Sequence, residues 1–107
     1  MGMELWSGGV AADKGAWQER EGKNSGVTEV QLSVLGSGSV SVTGYVYGSN
    51  DGVGEILLGD LTVTGTASPT VPLSVSDTIT RPYRYLRFDL SPVTGSVSRV
   101  TVTQAGV

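Results

Sequence analysis

The chain is 107 residues long, which gives room for one domain with one core. It has no cysteine and no histidine, so it lacks a disulfide framework, a cysteine nucleophile and the commonest general base and transition-metal ligand. Its net charge of -3 gives no global electrostatic reason to bind nucleic acid or an anionic membrane. We therefore expect a non-enzymatic protein without cofactor or metal, whose partners include neither nucleic acid nor membrane.

The composition favours short strands over helices. The chain contains 16 glycines together with many Ser, Thr and Val residues, and these residue types suit strands and tight turns. Aromatic residues make up only 7% of the chain, so the expected core is thin and consists mostly of Val and Leu. Association with other subunits would stabilise such a core, and we expect a homo-oligomer.

Residues 1–26 differ from the rest of the chain because they show no strand alternation. They contain no basic segment followed by an apolar run, so we predict no signal peptide. They do carry two tryptophans, Trp6 and Trp17, among glycines and charged residues. We predict an extended N-terminal arm or loop over residues 1–26. Its tryptophans either fold back onto the core or reach a neighbouring subunit.

From residue 27 onward the hydrophobic pattern has a period of two, which predicts strands with one buried face. Tyr45 and Tyr47 are expected on the opposite face from the buried valines. The buried positions predicted for the first two strands are Val30, Leu32, Val34, Val40, Val42 and Val46. Turns are predicted at residues 36–38, 49–52, 65–69 and 91–95, where Gly, Asn, Asp and Pro cluster.

Four further strands follow the turn at residues 49–52. The third begins at Ile56 and is expected to be interrupted at Gly59-Asp60. The fourth carries Pro72 and is therefore placed at a sheet edge, because proline cannot donate to a ladder. The fifth runs from Tyr83 to Leu90, and the sixth runs from Val97 to Thr103 with a bulge at Ser98-Arg99.

Regular strand spacing with turn chemistry and no helical pattern predicts an all-β fold over residues 27–107. We expect an antiparallel β-sandwich, jelly-roll-like or immunoglobulin-like, of about six to eight strands. A small barrel is the alternative topology.

No residue pattern points to catalysis or to a bound ion. The carboxylates Asp51, Asp60 and Asp77 lie in or beside turns, where Asp is expected for local hydrogen bonding. The segment Ser49 to Glu55 offers oxygens to a cation such as calcium, but it lacks the ligand spacing of an EF-hand, so a hairpin turn is the better interpretation. Gly36-Ser37-Gly38-Ser39 has neither the lysine nor the following helix of a phosphate-binding loop.

Aromatic and arginine side chains are the best candidates for an interaction surface. Arg84 projects away from Arg81 and Arg87 on a strand, so the three do not form one basic face for nucleic acid. Tyrosine suits either a subunit interface or stacking against a sugar. The predicted interaction residues are Trp6, Trp17, Tyr45, Tyr47, Tyr85 and Arg87.

The segment from Val40 to Val102 resembles small bacteriophage virion proteins of the β-sandwich type. The resemblance rests on these four segments: Gly48-Ser49-Asn50-Asp51-Gly52, Leu61-Thr62-Val63-Thr64-Gly65, Pro82-Tyr83-Arg84-Tyr85-Leu86-Arg87 and Val100-Thr101-Val102. The family commonly has an aromatic residue shortly after the Asn-Asp-Gly turn. This chain has Gly54-Glu55-Ile56 there.

The resemblance implies a virion structural protein, made in the host cytoplasm and assembled into the particle. A capsid decoration or cement protein is the first expectation, with the major capsid protein or other virion subunits as partners. The alternatives are a tail or fibre component and a carbohydrate-binding adhesin module. A glycan array and the identity of neighbouring genes would separate these possibilities.

Overall fold

The computed structural model describes residues 3–21 and 26–106, and strands are the only regular elements in these ranges. The strands are β1 (Met3–Ser7), β2 (Asp13–Lys14), β3 (Gln18–Glu19), β4 (Thr28–Ser49), β5 (Ile56–Ala67), β6 (Leu73–Ile79), β7 (Tyr85–Leu90) and β8 (Thr94–Gly106). Every pairing is antiparallel. The predicted all-β antiparallel class is confirmed. The eight strands of the described residues fall within the expected six to eight, but three of them lie in residues 1–26, where an arm is predicted.

The long strand β4 organises the sheet. Its first part, residues 28–37, lies between β6 and β8, and its second part, residues 38–49, pairs with β5 and β7. A straight strand of 22 residues would measure about 70 Å at roughly 3.3 Å per residue. The longest extent of the molecule is 40 Å, so β4 folds back on itself.

The fold in β4 lies at residues 36–38, where the sequence predicts a turn between two separate strands. Gly36 and Gly95 allow the backbones of β4 and β8 to approach closely there. A Cβ atom at Gly36 would lie 2.3 Å from the carbonyl oxygen of Ser96, and one at Gly95 would lie 2.2 Å from that of Ser39. The glycines therefore bend one continuous strand and do not end it, which corrects the prediction.

Because of this bend the eight-stranded sheet curls into two layers. Layer one consists of β1, β8, the first part of β4 and β6, and layer two consists of β2, β3, β7, the second part of β4 and β5. The layers meet at one margin, where a Cβ atom at Gly59 of β5 would lie 3.0 Å from Oδ2 of Asp77 in β6. The residues enclosed are Leu5, Val30, Leu32, Val34, Val40, Val42, Val46, Leu61, Val63, Ala67, Ile79, Leu86, Phe88, Leu90, Val100 and Val102.

Two of the predicted irregularities are confirmed, and one differs. Leu35 pairs with Arg99 and Gly36 with Val97, so Ser98 is the bulged residue of β8. β6 begins directly after Pro72 and pairs with β4 alone among the described strands, as an edge strand does. The third predicted strand is continuous as β5, and its irregularity is a register shift between residues 57 and 59.

The extended N-terminal arm is not observed in the described part of residues 1–26. β1 pairs with β8, while β2 and β3 both pair with β7. Leu5 is only 4% exposed and belongs to the core. These residues complete both layers of the sheet because they cover its open margins. The prediction for residues 1, 2 and 22–25 lies outside the described residues.

A buried polar cluster fixes the segment that follows β3. Arg20, Thr28 and Gln104 are all 2% exposed or less. The Nε of Arg20 donates to Oγ1 of Thr28 at 2.9 Å, and Thr28 in turn donates to the carbonyl of Glu21. Gln104 donates to the carbonyl of Glu19 at 2.9 Å and accepts from the backbone N–H of Glu21 at 2.9 Å. Hydrogen bonds from these side chains thus pair with backbone groups of residues 19 and 21, where the strand pairing of β3 ends.

Candidate binding surface on layer two

The outer face of layer two is formed by the odd-numbered residues of β4 and their cross-strand partners. Even-numbered residues such as Val42 and Val46 are buried, so their odd neighbours face outward. Tyr47 lies between Leu57 of β5 and Arg87 of β7. Tyr45 lies between Asp60 of β5 and Asp89 of β7. We call these two rows, with Trp17 beside Arg87, the aromatic end of layer two.

Arg87 is the centre of the aromatic end. Its guanidinium lies 4.7 Å from the ring centroid of Trp17 and 5.1 Å from that of Tyr47. It also donates to both carboxylate oxygens of Asp89 and to Oε2 of Glu55, each at 2.7 Å. Both geometries suit the planar arginine fork. Arg87 is 5% exposed, so it supports the surface from beneath.

The ion pairs shift the pKa values of Arg87 and Glu55. The hydrogen bonds to Asp89, and then the one to Glu55, raise the pKa of Arg87 despite its burial. The hydrogen bond and charge of Arg87 lower the pKa of Glu55, and Lys14 adds to this effect. The pKa shifts of Arg87 and Glu55 both favour the charged forms of these two groups. The carboxylates of Glu55 and Asp89 accept hydrogen bonds from the same buried guanidinium.

Residues 13–17 form one wall of the aromatic end. The Nζ of Lys14 lies 3.5 Å from Oε2 of Glu55, and the backbone N–H of Gly15 donates to Oδ1 of Asp89 at 3.2 Å. A Cβ atom at Gly15 would lie 2.2 Å from the carbonyl oxygen of Phe88, so only glycine allows this close approach. The approach brings Trp17 over Arg87.

The loop between β4 and β5 lies next to residues 13–17, and hydrogen bonds to Asp51 hold the loop in shape. Oδ1 of Asp51 accepts from the backbone N–H groups of Val53 and Gly54 and from the hydroxyl of Ser49, each at 2.9 Å. These donors hold the pKa of Asp51 at about 2, below its ordinary value of 3.8. The carboxylate oxygen is thus engaged by the loop itself, as the interpretation of a turn predicts.

Apolar side chains are exposed beside this cluster. Leu57 is 52% exposed and Val53 is 80% exposed. A Cβ atom at Gly52 would lie 3.9 Å from Cδ1 of Trp17, so the loop that carries Val53 lies against the tryptophan. The aromatic end therefore combines the packed side chains of Trp17, Tyr47 and Arg87 with the exposed aliphatic side chains of Leu57 and Val53.

The other end of the same face carries hydroxyl groups. Thr43 lies opposite Thr62 with their oxygens 3.1 Å apart, and Ser41 lies opposite Thr64 with their oxygens 3.4 Å apart. Ser39 and Thr66 form the last row. We call these three rows the hydroxyl end of layer two. Short side chains paired in this way leave a low polar surface without large anchoring groups.

The structure brings together five of the six predicted interaction residues. They are Trp17, Tyr45, Tyr47, Tyr85 and Arg87, and all lie on the outer side of layer two. Trp6 lies elsewhere: it packs edge-on against Phe88 with ring centroids 5.9 Å apart and donates to the carbonyl of Gly9 at 2.7 Å. Trp6 therefore caps the core, which is one of its two predicted roles.

Sequence reasoning did not identify Leu57, Glu55 or Asp89 as members of this surface. Leu57 stands in the apolar run Ile56-Leu57-Leu58, which gives no alternation and hence no sign of which residue faces out. Asp89 lies on the same strand as Arg87, two residues further on, whereas Glu55 reaches Arg87 from a segment that is distant in the chain. For Asp89 the sequence did contain a signal. Arg87 and Asp89 alternate in β7 with the buried Leu86, Phe88 and Leu90, which places both charged side chains on the outward face.

No family model matches this chain, and no curated protein matches it significantly. In the described ranges, no group of three or more acidic side chains is placed to hold a metal ion. No helix in the same ranges is long and apolar enough to cross a membrane. The fold and the surface thus define an all-β protein with a preorganised aromatic and arginine face.

Proposed function

We propose that this protein is a non-enzymatic virion structural protein that binds and stabilises the shell of a bacteriophage capsid. The observation that carries the proposal is the aromatic end of layer two. Trp, Tyr and Arg are the residues most often found at the energetic centres of protein interfaces. Here Trp17, Tyr47 and Arg87 are held together before any partner arrives.

Preorganisation supports a binding role because the cost of ordering the side chains has been met in the free protein. Arg87 makes three short charge-assisted hydrogen bonds. It lies on β7, which pairs with β4 at the centre of layer two. The assignment to a phage shell rests on the likeness of residues 40–102 to small virion proteins. The particle position that we favour is the capsid surface, and the partner is the major capsid protein.

The proposal is tested by mixing the purified protein with expanded, undecorated capsids of the phage that encodes it. We expect saturable co-sedimentation, density at fixed sites on the shell by electron cryo-microscopy, and a higher temperature of capsid disruption. Sedimentation velocity on the free protein tests the expected homo-oligomer separately. Absence of binding to the capsids at micromolar concentrations would overturn the proposal.

A carbohydrate-binding module is the second candidate, and Tyr45 is the observation that favours it. Tyr45 is half-buried and lies between the carboxylates of Asp60 and Asp89, next to the hydroxyl end. A tyrosine ring beside carboxylates and hydroxyls offers both stacking and hydrogen bonds to a sugar. Saturable binding on a glycan array that is lost in Tyr45→Ala would establish this candidate.

A further inference from the structure

The aromatic end of layer two is acidic as well as aromatic. The charged residues whose pairing and contacts place them at or beside it are four carboxylates, Asp51, Glu55, Asp60 and Asp89, and two cations, Lys14 and Arg87. Negative charge is therefore in excess on this surface.

Most of these charges are already engaged, and Asp60 is the exception. Arg87 pairs with Asp89 and Glu55, and Lys14 pairs with Glu55. Asp60 is exposed on β5, opposite Tyr45, and the described residues give it no ion-pair partner. Leu57 lies on the same side, one row further along β5. The unpaired carboxylate of Asp60 and the exposed side chain of Leu57 thus lie next to each other, beside the paired charges around Arg87.

We propose that the aromatic end is the docking surface and that its partner is a basic protein surface. That surface presents an arginine or lysine to Asp60 and an apolar side chain to Leu57 and Val53. The proposal rests on the proposed function and adds to it the face used and the chemistry of the partner. It is argued from charge complementarity, because an acidic patch selects a basic partner and speeds the encounter with it.

The hydroxyl end and layer one provide the contrast. In layer one, β6 presents Ser74, Ser76 and Thr78, and Ser74 lies opposite Ser33 with their oxygens 2.9 Å apart. These short polar side chains offer neither a large apolar area nor a concentration of charge. Central anchoring residues carry most of the energy of an interface, so the aromatic end is the stronger candidate.

The test measures co-sedimentation of point variants with the expanded capsids of the encoding phage. Asp60→Lys and Leu57→Ala change the proposed contacts, and we expect each to weaken binding by about tenfold or more. Ser76→Lys introduces a charge on the outer face of layer one, and Val71→Ala removes an aliphatic group that is 66% exposed elsewhere. Both control variants are expected to bind within about twofold of the wild type.

Salt provides a second measurement. Wild-type binding should weaken as the sodium chloride concentration rises, because dissolved ions screen the attraction between exposed charges. The range of that attraction is about 8 to 10 Å near physiological salt and shortens as salt is added. The Asp60→Asn variant, which keeps the shape of the side chain, should show a smaller dependence on salt. Circular dichroism and thermal melting of each variant confirm that it folds, as expected for substitutions at exposed positions.

The outcomes separate the two proposals. If wild-type protein does not bind the capsids, the proposed function fails. If it binds and the layer-two variants bind equally well, the function stands and this choice of face is overturned. If Leu57→Ala weakens binding while Asp60→Lys does not, the face stands and the basic character of the partner is overturned.

Discussion

Gly44 shows at the scale of one residue how tightly layer two is packed. It lies in β4 opposite Leu90, next to the fully buried Phe88. A Cβ atom at Gly44 would lie 2.0 Å from Cζ of Phe88. Only glycine therefore allows the phenyl ring to occupy this part of the core, and the ring in turn supports Trp6.

Gly44→Ala should destabilise the protein by about 1 to 3 kcal/mol, because a methyl group there overpacks the core. Chemical denaturation measures this as a lower midpoint. Gly54→Ala is the matched control, since its Cβ atom would lie 3.7 Å from the nearest atom, an ordinary contact. Equal midpoints for Gly44→Ala and the wild type would contradict the prediction.

Asp51 determines how the loop beside the aromatic end responds to acid. Its pKa is lowered to about 2, so its stabilising contribution is complete above its ordinary pKa of 3.8 and is lost as the pH falls through about 2. We expect the amide resonances of Val53 and Gly54 to titrate with a midpoint near pH 2 by NMR. The Asp51→Asn variant should lack this transition. A midpoint near 3.8 in the wild type would show that the backbone N–H groups do not hold the carboxylate.

At the scale of elements, the bend in β4 is the feature that creates two layers from one sheet. Gly38 and Gly95 both have positive φ at this bend, +70° and +90°. They differ in their surroundings, because a Cβ atom at Gly38 would meet nothing within 4 Å, whereas one at Gly95 would meet the backbone of Ser39.

This contrast predicts unequal effects of one substitution. Gly38→Ala should cost about 1 to 2 kcal/mol, from its backbone conformation alone. Gly95→Ala should cost a further 1 to 3 kcal/mol or so, because β4 and β8 must move apart. Thermal melting of the two variants measures the difference. Equal melting temperatures would indicate that the two backbones separate at this point without cost.

Alternation predicted the strands of residues 27–106 because nearly every one has a buried face and an outward face. The bend at residues 36–38 was not predicted, since Gly-Ser-Gly is equally typical of a turn that ends a strand. The burial of Arg87 was also unpredictable, because Glu55, Tyr47 and Trp17 reach it from distant segments of the chain. Two-residue strands such as β2 and β3 are too short to show any period.

At the scale of the whole molecule, residues 3–21 are part of the fold. β1 closes the margin of layer one, and Leu5 fills space in the common core. The alternative of an arm that orders only on binding would leave Leu5 without a structural effect in the free protein. The two interpretations therefore give opposite expectations for one substitution.

Leu5→Ala should lower the free energy of unfolding by about 2 to 5 kcal/mol, as expected for a leucine in a packed core. Leu57→Ala removes the same atoms from a side chain that is 52% exposed and should have a much smaller effect. Urea denaturation of both variants provides the comparison. If Leu5→Ala and the wild type had equal denaturation midpoints, residues 3–7 would not contribute to the core of the free protein, and the interpretation as an arm would be correct.

The pairing of β1 with β8 also has a consequence for how the protein acquires its structure. Met3 lies opposite Gln104, and β4 pairs with strands on both sides that follow it in the chain. Layer one is not complete until β8 has been made, since β8 pairs with both β1 and the first part of β4. Topologies dominated by such distant pairings fold slowly, in milliseconds to seconds. During that interval the edges of β4 are unpaired and can pair with strands of other chains. Efficient folding in the cell therefore depends on keeping unfinished chains apart from one another.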